Sequence, residues 1–94
     1  MRSYELVVIF EADLEDHKGV SEEFAEIVRG LGAEVEKIDL WGKRRLAYPI
    51  KKRIEGYYVM YTMKLDPAQV VELERVLGLK AQVLRHLVVN LEEK

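Results

Sequence analysis

Apolar and polar residues alternate from Ser3 to Phe10: Tyr4, Leu6, Val8 and Phe10 fall on one face, Glu5, Val7 and Ile9 on the other. A period of two predicts a strand. From roughly Asp16 to Leu31 the period lengthens, and Val20, Phe24, Ile27, Val28 and Leu31 form one helical stripe. Gly32 marks the end of that helix, and Gly19 weakens its first turns. Glu34 to Ile50 reads as a long second strand. Gly42 in its middle predicts a bulge or bend, and Pro49, which lacks a ladder donor, requires a sheet edge. Lys51 to Glu55 reads as a hairpin loop and Gly56 to Leu65 as a third strand. Asp66, Pro67 and Gln69 occupy the N-cap, N1 and N3 positions of a helix-start signal. Val70, Leu73, Val76 and Leu77 then point inward, up to a stop at Gly78. Val83 to Leu91 reads as the fourth strand.

The order βαββαβ, with right-handed crossovers, predicts an α+β, ferredoxin-like fold. Its four-stranded antiparallel sheet has strand order 4-1-3-2 and carries both helices on one face. The expected organisation is a single domain over residues 1–94. The Pro49 strand falls at an edge, as its proline demands.

Two helices cover only one sheet face, and the other is ordinarily polar. Here it is not. With Tyr4, Leu6 and Val8 inward, Val7 and Ile9 point out. The third strand packs Val59, Tyr61, Met63 and Leu65 inward and leaves Tyr58, Met60, Thr62 and Lys64 outside. The fourth packs Leu84, His86 and Val88 inward and leaves Arg85, Leu87 and Val89 outside. Val7, Ile9, Tyr58, Met60, Leu87 and Val89 should therefore form a contiguous apolar patch, the mark of an interaction surface.

Charge sharpens the picture. The 94-residue chain has a formal net charge of -2, yet Trp41 to Arg53 gathers Lys43, Arg44, Arg45, Lys51, Lys52 and Arg53 with no acidic residue. Such a local positive field suits an anionic partner. Leu46, Tyr48 and Ile50 alternate through the same segment, so the cations ride on a strand with one apolar face. Together with Arg2 they are candidates for neutralising nucleic-acid phosphates. The competing explanation is that strand-edge cations discourage edge pairing, and it weighs most for Lys52 and Arg53 at the loop tip. Trp41 could stack on a base or simply pack beside Leu40.

Other chemistry finds no support. The chain has no cysteine, hence neither a disulfide framework nor a thiolate site. His17 and His86 have no ligand neighbours at metal spacing, so His17 reads as a solvated helix-start residue and His86 as a residue within or beside the core. The acidic stretch Glu11 to Asp16 lacks the spacing of a calcium loop. No phosphate-binding glycine loop and no nucleophile–base pair is present. No catalytic residue, metal or cofactor is expected. Gly56-Tyr57-Tyr58-Val59-Met60-Tyr61 approaches the strand motif of RNA-recognition domains, but it lacks the small residue between two aromatics. Only Tyr58 would then face outward, which fits protein docking better than base stacking. No apolar run approaches the length of a membrane span and M-R-S-Y-E lacks a signal pattern, so the expected location is cytoplasmic. Roughly 60–65 % of the unfolded surface of a chain this size is buried on folding, enough for a core without staples.

M-R-S-Y-E at the start, W-G-K-R-R-L-A-Y-P-I-K in the second strand, E-G-Y-Y-V-M-Y in the third and V-L-R-H-L-V-V in the fourth resemble the bacterial small-subunit ribosomal protein S-six family, over nearly the whole chain. The resemblance implies a structural, non-catalytic constituent of the small ribosomal subunit. It further implies binding to the central domain of small-subunit ribosomal RNA, in a heterodimer with ribosomal protein S-eighteen. Arg2, Lys43, Arg44, Arg45 and Lys51 are then the candidate RNA contacts. Glu5, Val7, Tyr58, Met60, Arg85, Leu87 and Val89 are the candidate partner surface. No membrane and no small-molecule substrate is implied. Some members carry a longer acidic tail where this sequence reads Glu92-Glu93-Lys94. A metabolite-binding domain of the same fold and a module that pairs through its own sheet face are the competing readings.

Overall fold

A computed structural model of the chain describes residues 1–91, and the acidic Glu92-Glu93-Lys94 end lies outside the described residues. Strand β1 spans Arg2–Glu11, helix α1 His17–Gly30, β2 Glu34–Ile50 and β3 Arg53–Leu65. A single 3-10 turn, Pro67–Gln69, leads into α2, Val70–Leu79, and β4 spans Val83–Asn90. The strands form one sheet in the order β2-β3-β1-β4, antiparallel at every junction. This is the ferredoxin-like arrangement expected from the sequence, with the Pro49 strand at an edge.

The core lies between sheet and helices. Tyr4, Leu6, Val8 and Phe10 of β1 and Val59, Tyr61, Met63 and Leu65 of β3 are buried, as their alternation predicts. They meet Phe24, Ala25 and Val28 of α1 and Leu73 and Leu77 of α2. The buried stripe of α1 is centred on Ser21, Phe24, Ala25 and Val28, whereas Val20 and Leu31 are only partly buried at its margins. Small residues at 21 and 25 let the helix approach the sheet closely. Ser21 tolerates burial because its Oγ donates to the His17 carbonyl at 2.7 Å, and its own carbonyl accepts from the Tyr61 hydroxyl at 2.9 Å.

Three local expectations need correction. The hairpin between β2 and β3 is tighter than a Lys51–Glu55 loop: Ile50 already pairs with Arg53, and Lys51 and Lys52 alone make the turn, with φ of 50° and 66°. Two successive left-handed residues close a hairpin with the twist the strands require. Helix α2 runs past Gly78 to Leu79, because the chain turns extended only at Lys80. In β4 a bulge opposite Ile9 and Phe10 sets Val83 directly against Phe10, so Val83 joins the core as well as Leu84 being buried.

Candidate nucleic-acid and partner interface

The β2 edge is organised by the bulge that Gly42 predicts. Leu40 pairs with Val59, but Gly42, at φ 92°, pairs with Tyr58, so Trp41 is the extra residue. A one-residue shift exchanges the two faces of everything downstream. It sets Arg44 opposite Gly56, on the open side of the sheet with Trp41 and Tyr58. The Trp41 and Tyr58 rings stack at 6.4 Å with 11° between their planes, and the Arg44 guanidinium lies 5.5 Å from the indole centroid. Lys43 pairs with Tyr57 and points to the other side of the ribbon, and Arg45 follows opposite Glu55. Lys43, Arg44, Arg45 and Lys51 are all exposed, and none pairs with a carboxylate among the described residues.

Not every cation joins them. Arg53 is held by two acidic side chains, with Nη1 3.2 Å from Asp13 Oδ2 and Nη2 3.4 Å from Glu11 Oε1, and so ties the hairpin base to the loop after β1. Lys52 lies beside that pairing in a cleft shared with Lys43, Asp13 and Glu55. Arg2 pairs with Leu65, at the opposite end of β1 from Glu11, whose cross-strand neighbour Gly56 pairs with Arg44. The length of β1 separates them, roughly 30 Å at about 3.4 Å per residue. Arg2 is therefore a separate point of positive charge.

The residues expected to form a partner surface lie on the open face in registered rows. Thr62, Glu5 and Val89 form one row; Met60, Val7 and Leu87 the next; Tyr58, Ile9 and Arg85 the third. Leu87 is 59 % and Val89 39 % exposed. The third row is less open than the alternation suggests. Between Arg45, opposite Glu55, and Ile50, opposite Arg53, four residues of β2 face only Ile54 of β3. The surplus, Leu46 to Pro49, folds as a strap across the sheet. Leu46 is buried, and the guanidinium of Arg85, on the far edge strand, lies 5.8 Å from the Tyr48 ring. Beneath the strap is a cleft of ≈ 300 Å³ lined by Val7, Ile9, Leu46, Tyr48, Tyr58 and Arg85, among others. Gly56 leaves room for Ile9 of β1: a Cβ there would sit 2.4 Å from Ile9 Cγ2, and 3.4 Å from Leu46 Cδ2 of the strap.

The titratable groups serve structure. His17 is half-buried rather than free in solvent. Asp16 takes the N-cap, its Oδ1 accepting from the Gly19 amide at 2.9 Å, and the His17 ring folds back onto Tyr57, parallel at 3.9 Å with Nε2 3.0 Å from the Glu11 carbonyl oxygen. His86 is half-buried opposite Val8. Burial pushes the Tyr61 phenol well above its ordinary value of 10.0. Among the described residues no group of three metal-ligating side chains converges, and no helix is long and apolar enough to cross a membrane.

Comparison with known proteins agrees with this architecture. The family model described as Ribosomal protein S6 matches residues 3–90. The small ribosomal subunit protein bS6 of Moorella thermoacetica is 43 % identical over 96 residues, covering 100 % of this chain and 98 % of the relative. That of Streptomyces coelicolor is 46 % identical over 95 residues, covering 98 % of each. The crystal structure of 30S ribosomal protein S6 from Thermotoga maritima superposes with a TM-score of 0.87 at 25 % identity, covering 95 % of this chain and 86 % of that one. With a matching family model over nearly its full length, full-length relatives and a shared fold, this chain belongs to the ribosomal protein S6 family.

Proposed function

We propose that the chain acts as one ferredoxin-like domain that binds the central domain of small-subunit ribosomal RNA together with ribosomal protein S-eighteen. Family membership makes it a structural, non-enzymatic protein of the small ribosomal subunit, and so a protein of the cytoplasm. The RNA assignment is carried by one observation: Lys43, Arg44 and Arg45 are exposed on an edge strand without carboxylate partners among the described residues, in a chain whose net charge is -2. Phosphates would be met along that edge, with Lys51 at the hairpin tip and Arg2 as a distant second point. The partner protein would dock on the rows containing Glu5, Val7, Tyr58, Met60, Arg85, Leu87 and Val89. Apolar side chains there supply the buried area and a surrounding polar rim the orientation.

The division of labour is open to direct test. A labelled central-domain RNA fragment is titrated with this protein, with and without ribosomal protein S-eighteen, at two salt concentrations. Binding that requires the partner and weakens as salt rises is the expected result. Absence of binding under all four conditions would return the basic segment to the role of edge protection.

A further inference from the structure

Trp41 has no charge to offer an RNA phosphate, yet it sits between two side chains that the two proposed surfaces use. One is Tyr58, stacked on its ring; the other is Arg44, whose guanidinium lies 5.5 Å from its centroid. We infer that Trp41 is a positioning residue for RNA binding, holding the Arg44 guanidinium as a preoriented phosphate ligand. The inference rests on the assignment of Arg44 to RNA.

Several features of the edge support it. A free arginine side chain samples many rotamers, and much of that freedom is lost when it is fixed on a phosphate. A guanidinium resting against an aromatic ring has lost part of that freedom already. Contact with the ring also leaves guanidinium N–H groups available for an oxygen acceptor, as the planar fork of arginine allows. The platform is itself held, because Trp41 stacks on Tyr58 of the neighbouring strand. The indole is nevertheless 42 % exposed, so the column is at the surface where a polyanion can reach it. Finally, the arrangement depends on the bulge. Without the extra residue before Gly42, strict alternation would put Arg44 opposite Glu55, on the face away from Trp41. Gly42, at φ 92°, is the residue that makes this bulge inexpensive. Arg45, the next cation, has no aromatic contact among the described residues and serves as an internal comparison.

The test compares wild type, Trp41→Leu, Trp41→Phe, Arg44→Ala and the Trp41→Leu/Arg44→Ala double variant. Each is saturated with ribosomal protein S-eighteen and titrated with the central-domain RNA fragment over a salt series. Trp41→Leu is expected to weaken binding roughly 2- to 5-fold, the scale of an exposed cation–π contact. Its salt slope should stay at the wild-type value, because the number of phosphates neutralised is unchanged. Trp41→Phe should recover much of the loss. Arg44→Ala should lower the slope by about 0.7–0.9, the value of one phosphate. In that background Trp41→Leu should cost nothing more. An equal loss from Trp41→Leu with or without Arg44 would overturn the inference, since Trp41 would then act on the RNA or on the fold directly. So would wild-type affinity in Trp41→Leu. Failure of wild type to bind RNA would instead remove the underlying assignment of function, a result distinct from either.

Discussion

Tyr61 shows how one buried hydroxyl ties the sheet to a helix. Its ring is fully buried and its hydroxyl donates to the Ser21 carbonyl, an atom of α1. Replacing Tyr61 by Phe deletes the donor and leaves the carbonyl in an apolar setting, which should cost about 1–2 kcal/mol in urea unfolding. The same residue should shape alkaline stability. Its proton is held more tightly in the folded than in the unfolded chain, so its contribution is complete below pH 10.0 and declines as pH rises beyond that value. The Tyr61→Phe protein should therefore lose less stability than wild type between pH 9 and pH 11 (roughly one unit either side of an ordinary tyrosine). Identical alkaline slopes in the two proteins would mean that other groups govern the decline. Ser21 itself was not recognisable from periodicity, because a serine reads as polar until its carbonyl and hydroxyl are seen to have partners.

At the scale of elements, the β2–β3 hairpin departs furthest from what its residues prefer. Its turn demands two left-handed residues, for which Asn-Gly is the favoured pair, yet it carries Lys51-Lys52. A non-glycine residue in that region costs about 1–2 kcal/mol. Converting the turn with Lys51→Asn and Lys52→Gly should raise stability by about 1–2 kcal/mol in urea unfolding. It should also lower the salt slope of RNA binding, if charge is what the tip retains lysine for. A more stable protein with an unaltered slope would place both lysines outside the RNA contact. The Leu46–Pro49 strap is the other departure. Alternation predicts one face for Leu46, Tyr48 and Ile50, yet Ala47 lines the cleft along with all three, and alternation does not distinguish a strand in register from one that folds over its own sheet. What separates them is the mismatch of four residues against one before the turn, which appears only when β2 and β3 are paired.

Over the whole molecule, a net charge of -2 opposes a polyanion everywhere except near the β2 edge, so the isolated protein should bind RNA weakly. A partner on the open face that adds cations would make the two binding events cooperative through a shared coupling free energy. Met60, in the middle open row beside Val7 and outside the cleft under the strap, is the position to probe. Met60→Glu should weaken binding of ribosomal protein S-eighteen by about 1–3 kcal/mol if that row is in the interface. Partner affinity equal to wild type in isothermal titration would shift docking to another surface. The element order, the strand at the edge, the inward residues of β1 and β3 and the Gly42 bulge are all readable from the order of residues along the chain. Each is a local consequence of period, of a missing proline donor or of a glycine's freedom. The family resemblance was legible in the same segments, and the comparisons bear it out. The surroundings of each cation come from the tertiary structure. Arg53 is drawn to Glu11 and Asp13 across the sheet end, Arg2 is set at the far end of β1, and Arg44 is turned onto Trp41. Those outcomes depend on the register between paired strands, and a charge pattern along one strand carries no record of what lies across from it.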